Sequence, residues 1–229
     1  MSNNLSLDER LKLVKEVGEE IVTEEELIKL LKEKQRPVAY DGFEPSGQIH
    51  IAQGLLRAIN VNKMTKAGFV FKMWVADWFG LINNKMGGDI EKIKTVGKYF
   101  IEVWKSTGMD LENIQFIWAS DFIKSHPEYW ELVLKIGMKK NLPRVLRTIE
   151  IMGRSEKDTL TAAQVIYPLM QAADIFMLEA DVAQLGMDQR KVNMLARDVA
   201  DDLLILRRIT LSITFSPAIS VGGNSPANM

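Results

Sequence analysis

The chain has 229 residues, 47% hydrophobic and 26% charged, with a formal net charge of −1 and no cysteine; one domain with an appended helical piece is expected. The lack of cysteine excludes disulfide staples and thiolate metal sites, and the near-neutral balance argues against a broadly basic nucleic-acid surface, so any RNA contact should be local. No apolar run approaches the roughly 20 residues of a membrane span and the first residues carry no signal-peptide pattern, so no membrane contact and a cytoplasmic location are expected.

In chain order, residues 5–22 and 23–34 read as two short amphipathic helices, the second opened by Thr23 with Glu26 three residues on as a capping box. Pro37 stops the helical pattern and residues 38–43 read as a short buried strand. Helix is expected over 50–67, strand over 69–78, helix over 90–107 and strand over 114–119. Residues 128–153 are helical and basic, with Lys135, Lys139, Lys140, Arg144 and Arg147; a solvated helix face explains such a charge run as well as an interaction surface does. Helix over 161–178, strand over 180–185 and helix over 188–203 complete the ordered part. The Ser, Pro, Gly and Asn beyond residue 213 read as a disordered tail, with 209–213 a possible strand. Strand alternating with helix predicts an α/β fold: a Rossmann-like parallel sheet with crossover helices, preceded by short N-terminal helices. The corresponding division is 1–36 for the N-terminal helices, 37–203 for the sheet domain with a helical insertion near 126–155, and 204–229 for a divergent tail. The first strand-to-helix turn lacks G-x-G-x-x-G, which argues against dinucleotide binding.

That turn is the most informative stretch. From Tyr40 through Gly42, Gly47 and His50 to Gly54, a buried strand passes through small residues into a helix that opens on a histidine. Glycines admit a ligand close to the backbone, and a helix start offers unpaired N–H groups and partial positive charge to a phosphate. An ordinary strand-to-helix connection accounts for the same spacing. Farther on, Tyr167, Gln171 and Asp174 fall at i, i+4 and i+7, on one side of a helix. Polar groups on an otherwise apolar helix need partners, and the stripe suits either a ligand or a neighbouring loop.

Phe43-Glu44-Pro45-Ser46-Gly47 followed by His50-Ile51-Ala52-Gln53 resembles the HIGH-type signature of class I aminoacyl-tRNA synthetases, specifically the tyrosyl-tRNA synthetases of archaeal and eukaryotic type. Tyr167-Pro168-Leu169-Met170-Gln171-Ala172-Ala173-Asp174-Ile175 and Gly186-Met187-Asp188-Gln189-Arg190-Lys191 resemble that family's tyrosine-binding helix and its ribose and amino-acid turn, in the family's order. The resemblance covers residues 37–202.

It implies a tyrosine–tRNA ligase catalytic domain that joins L-tyrosine to ATP, with Mg²⁺ accompanying the nucleotide, and passes the tyrosyl group to tRNA(Tyr). By the same resemblance Asp174 and Tyr40 share the phenolic hydroxyl of bound tyrosine, while Tyr167, Gln171 and Gln189 hold its amino and carboxylate groups. His50 serves the phosphates, Gln53 stands where many class I enzymes have a second histidine, Gly42, Gly47, Gly54 and Gly186 admit the nucleotide, and Asp188 takes the ribose hydroxyls. No metal ligand is assigned, and the 128–153 segment is the family's dimer-building insertion, so a homodimer is expected. Phenylalanine would leave a buried carboxylate without its hydroxyl partner; discrimination of about 10⁵ without editing is a figure established on tyrosyl-tRNA synthetases themselves, not deduced from these residues. Residues 203–229 match neither the family's KMSKS-type loop nor anticodon-binding helices, so weakened turnover is expected. A non-catalytic tyrosine-binding or dimer-partner protein is the alternative.

Overall fold

A computed structural model describes residues 5–153 and 158–203. Four parallel strands form its sheet: β1 (Val38–Phe43), β2 (Val70–Val75), β3 (Ile114–Trp118) and β4 (Val182–Ala183), in the order β3-β2-β1-β4. Val38 pairs with Val70 and Phe43 with Val75, while Ala39 and Tyr40 pair with Val182 and Ala183 on the other side. The chain thus builds outward from β1 in one direction and returns to its opposite edge, and the reversal lies between β1 and β4. In open parallel sheets, ligands bind at the carboxyl ends of the strands at such a reversal. The expected α/β parallel sheet with crossover helices is present.

Both faces of the sheet are covered, as parallel sheets require. On one face Ala39, Phe71, Met73 and Val75 meet α1 (Leu7–Lys15), α2 (Glu24–Glu33), α3 (Arg57–Lys66) and α5 (Ile90–Ser106). On the other, Tyr40 and Trp74 meet a core built with α7 (Glu128–Lys139), α9 (Ala162–Met177) and α10 (Arg190–Asp202). The short helices α4 (Asp77–Ile82), α6 (Ala119–Ser125) and α8 (Leu142–Leu146) complete the fold.

Several expected boundaries move. The helix expected over 5–22 ends at Lys15, and buried Val17 turns the chain instead. The strand expected over 69–78 stops at Val75 because Asp77, fully buried, turns its carboxylate onto the N–H groups of Trp78 and Ser120 (2.9 Å each) and onto the Ser120 hydroxyl (2.6 Å), which starts α4. The helix expected over 128–153 breaks at Asn141, whose side chain caps α8 with Pro143 in its first turn. The strand expected over 180–185 pairs only at Val182–Ala183. The capping box at Thr23 and Glu26 forms as expected. The possible strand at 209–213 and the tail lie outside the described residues.

The N-terminal helices share the core of the sheet domain. Arg10, 3% exposed, sends its guanidinium to the carbonyls of Ala67, Leu31, Lys34 and Gln35 at 2.7–3.4 Å. It thereby satisfies carbonyls near the C-terminal ends of α2 and α3, where helices leave acceptors unpaired. Arg10→Ala would strand buried acceptors and open a hole, so a stability loss of about 3 kcal/mol is expected from urea unfolding. A loss below about 1 kcal/mol would mean that water replaces the guanidinium.

Candidate active site

At the carboxyl ends of β1, β2 and β4 lies a cavity of about 440 Å³. Of the residues singled out from the sequence, Tyr40, Gly42, Gln53, Tyr167 and Gln171 line it. So do Asp174, Gly186, Asp188 and Gln189. Gly47, His50 and Gly54 do not belong to its lining.

The deep end is aromatic and acidic. Asp174 on α9 is 1% exposed and Tyr40 on β1 likewise. One Asp174 oxygen, Oδ1, lies within hydrogen-bond distance of the Tyr129 hydroxyl oxygen on α7, at 2.7 Å. The other, Oδ2, is buried without a hydrogen-bond partner among the described residues, and so is the Trp74 indole N–H on β2. Burial pushes the Asp174 carboxyl well above the usual carboxylate range; the Tyr129 hydroxyl and the nearby Trp74 indole oppose this and do not overcome it. Tyr40 is raised well above the phenol range by burial, with the Asp174 charge adding to it. The pairing of Asp174 with Tyr129 is absent from the sequence reading, which placed residue 129 in a basic segment. Its signal was the apolar spacing of Tyr129, Val133 and Ile136, all buried on α7.

Toward the middle of the cavity the polar groups are mutually bonded. The Tyr167 hydroxyl donates to Glu44 Oε1 at 2.5 Å, and Asn83 Nδ2 donates to Glu44 Oε2 at 3.1 Å, with Lys85 Nζ 3.4 Å from the same oxygen. Glu44 sits in the quoted turn yet went unassigned. Gln171 Nε2 donates to Gln189 Oε1 at 2.9 Å, and Gln189 Nε2 donates to Asp188 Oδ2 at 2.7 Å and to the Ile151 carbonyl at 3.0 Å. Glu44, Gln171, Asp188 and Gln189 all line the cavity, and their oxygens are of the kind that accept from an ammonium group.

The lining also carries an ion pair that sequence reasoning missed. Asp41, 1% exposed, lies 3.0 Å from Arg57 Nε, and the guanidinium stands over the rings of Phe43 (5.9 Å) and Trp104 (5.5 Å). Burial raises Asp41 to about 6, against the pull of Arg57 and the Gly42 N–H. A carboxyl raised on folding keeps its proton in the folded chain while the unfolded chain ionises. Stability from this group is therefore intact below about pH 4, falls as pH rises toward 6, and stays lower above that by about 3 kcal/mol. Asp41→Asn should flatten the slope of unfolding free energy between pH 4 and 6. An unchanged slope would place the titration elsewhere.

His50 is exposed and opens the following helix; its N–H donates to the Gln53 side chain at 3.2 Å. Gly47 adopts φ +62°, a conformation that favours glycine. Gly54 is buried, and a Cβ there would meet Val103 of α5 at 3.5 Å, an ordinary contact, so packing alone does not demand glycine at this position. Residues Ala52–Leu56 form a π-helical turn, and the Trp104 indole donates to the Gln53 carbonyl at 2.9 Å. Such turns are frequent at functional sites. In the basic segment, Lys140 pairs with Asp202 (2.6 Å) and Arg144 with Asp198 (2.9 Å), so part of that charge is spent on α10.

Residues 32–216 match the family model of class I tRNA synthetases (W and Y). The chain is 58% identical over 198 residues to tyrosine–tRNA ligase 1, cytoplasmic, of Arabidopsis thaliana, covering 86% of this chain and 51% of that protein. It is similar to the structure of Leishmania major tyrosyl-tRNA synthetase in complex with tyrosinol, at 53% identity and a TM-score of 0.89 over 92% of this chain and 32% of that one. It is also similar to tyrosyl-tRNA synthetase complexed with L-tyrosine from Pyrococcus horikoshii, at 34% identity and a TM-score of 0.84 over 92% and 60% of the two chains. The chain spans about half the length of the Arabidopsis ligase it matches.

Proposed function

We propose that this chain, which belongs to the class I tRNA synthetases for W and Y, binds L-tyrosine and activates it with ATP as part of a tyrosine–tRNA ligase. The observation that carries the reading is Asp174 Oδ2, a buried acceptor without a hydrogen-bond partner among the described residues, in a cavity that Tyr40 and Trp74 also line. A para-hydroxyl placed there satisfies it, and an unsubstituted ring does not. Tyr167, Gln171 and Gln189 would then hold the amino acid's backbone groups, with Glu44 placed near the ammonium.

In the reaction a tyrosine carboxylate oxygen attacks the α-phosphorus of ATP, a P–O bond forms, and the bond to the leaving pyrophosphate breaks. The chain's task is alignment and stabilisation of charge on the phosphoryl oxygens. His50 and the helix start behind it would face the phosphates, and Asp188 and Gly186 the ribose. Among the described residues no cluster of three or more His, Cys, Asp or Glu is placed to hold a metal; Mg²⁺ would arrive on the nucleotide's own phosphates. Transfer to tRNA(Tyr) follows as the second step of the whole enzyme.

The exposed apolar row Trp130, Leu134, Met138 and Leu142 on α7 and α8, 41–84% exposed, supports a homodimer through this face. Among the described residues no helix is long and apolar enough to cross a membrane, and a cytoplasmic location is proposed from the Arabidopsis relative's name.

The test is calorimetric titration with tyrosine and phenylalanine, paired with tyrosine-dependent exchange of pyrophosphate into ATP. Selective tyrosine binding with exchange supports the enzyme. Selective binding without exchange supports the tyrosine-binding alternative, and no selective binding overturns the site.

A further inference from the structure

The Tyr129 hydroxyl raises a question of proton count. Its oxygen lies 2.9 Å from the Met170 carbonyl oxygen and 2.7 Å from Asp174 Oδ1, yet a phenol carries a single hydrogen and a carbonyl can only accept. If Tyr129 donates to Met170, the hydrogen in the shorter contact belongs to Asp174. We propose that Tyr129 is a specificity-determining positioning residue: it donates to the Met170 carbonyl and its oxygen accepts a hydrogen bond from the carboxyl O–H of Asp174, fixing an uncharged acid whose Oδ2 faces the ligand's para-hydroxyl.

The surroundings agree. The groups acting on Asp174 come from four elements: Tyr40 on β1, Trp74 on β2, Tyr129 on α7 and Tyr167 on α9, the last held by Glu44. Three are phenols and one an indole; none is a cation. A lone carboxylate in such a place is costly and neutralises by taking up a proton. Burial indeed pushes Asp174 well above the carboxylate range. Tyr129 is itself fully buried and raised by burial and by Asp174, so it stays a phenol. With Oδ1 bound to Tyr129, the carboxyl cannot turn, and Oδ2 is left without a partner beside the Trp74 indole. The relay accounts for both the satisfied and the unsatisfied oxygen.

This inference rests on the reading of the cavity as a tyrosine site and names what makes it selective. The experiment compares the full wild-type chain with Tyr129→Phe, using tyrosine and phenylalanine as calorimetric probes. Loss of the relay should lower tyrosine affinity about tenfold, leave phenylalanine affinity unchanged, and so narrow the discrimination tenfold; a merely structural role would weaken both ligands alike. Wild-type tyrosine affinity should be flat from pH 6 to 8. Infrared difference spectra of wild type against Asp174→Asn should show a protonated carboxyl band, and this measurement stands even where the phenylalanine variant fails to fold. Wild type that binds tyrosine selectively but shows no such band, or a folded variant with unchanged discrimination, overturns the relay alone. Wild type without tyrosine binding overturns the site and the relay together.

Discussion

Asp174→Ala is expected to weaken tyrosine binding by about 10²-fold, because the ligand hydroxyl would lose the buried Oδ2 that is free to accept from it. An unpaired buried polar group costs on the order of 1–3 kcal/mol, and the Tyr129 hydroxyl would lose its Asp174 partner as well. Stability should move far less than affinity. The cost of keeping an acid buried disappears along with its hydrogen bond to Tyr129, and the two act in opposite directions. Calorimetry with tyrosine and a urea unfolding curve on the same preparation separate the effects. A folded variant with unchanged tyrosine affinity would take Asp174 out of the site.

His50→Ala is expected to act on rate alone. His50 is exposed at the helix start and stands outside the cavity lining, so its removal leaves the tyrosine end untouched. If it meets phosphoryl oxygens chiefly while the α-phosphorus is attacked, its loss lowers kcat for adenylate formation by about 10²- to 10³-fold, the cost typical of one lost donor to developing charge. Tyrosine affinity stays within twofold. Normal exchange in the variant, or a fall in tyrosine affinity equal to the fall in rate, would contradict this role.

Much of the site was legible in the sequence because its residues come from short, regular pieces. Tyr167, Gln171 and Asp174 keep helical spacing on α9, and all three line the cavity, as do Gly186, Asp188 and Gln189 on the turn after β4. The strands were legible as apolar runs between helices. What escaped depends on contacts between distant segments. Tyr129 reaches Asp174 across 45 positions, and Glu44 meets Tyr167 across 123; neither separation leaves a local pattern. Arg57 and Asp41 meet across 16 positions, a separation that carries no helical or strand period. Asp77 hid a helix start inside an apparent strand, since its partner Ser120 lies on another element.

The N-terminal segment bears on the cavity although none of the described residues before Tyr40 lines it. Arg190 and Arg197 on α10 reach Glu20 and Glu26, and Lys34 reaches Asp181 beside β4. Gln189 and Asp188 are the residues from which α10 departs, so the segment around Glu20, Glu26 and Lys34 acts as a brace on a turn that lines the cavity. Shortening the chain to begin at Pro37 would thus be no simple trimming: it would unmoor the far end of the site while leaving every lining residue in the sequence. A loss of tyrosine binding in such a shortened protein would be a mechanical failure at a distance, and would say nothing against the lining residues themselves.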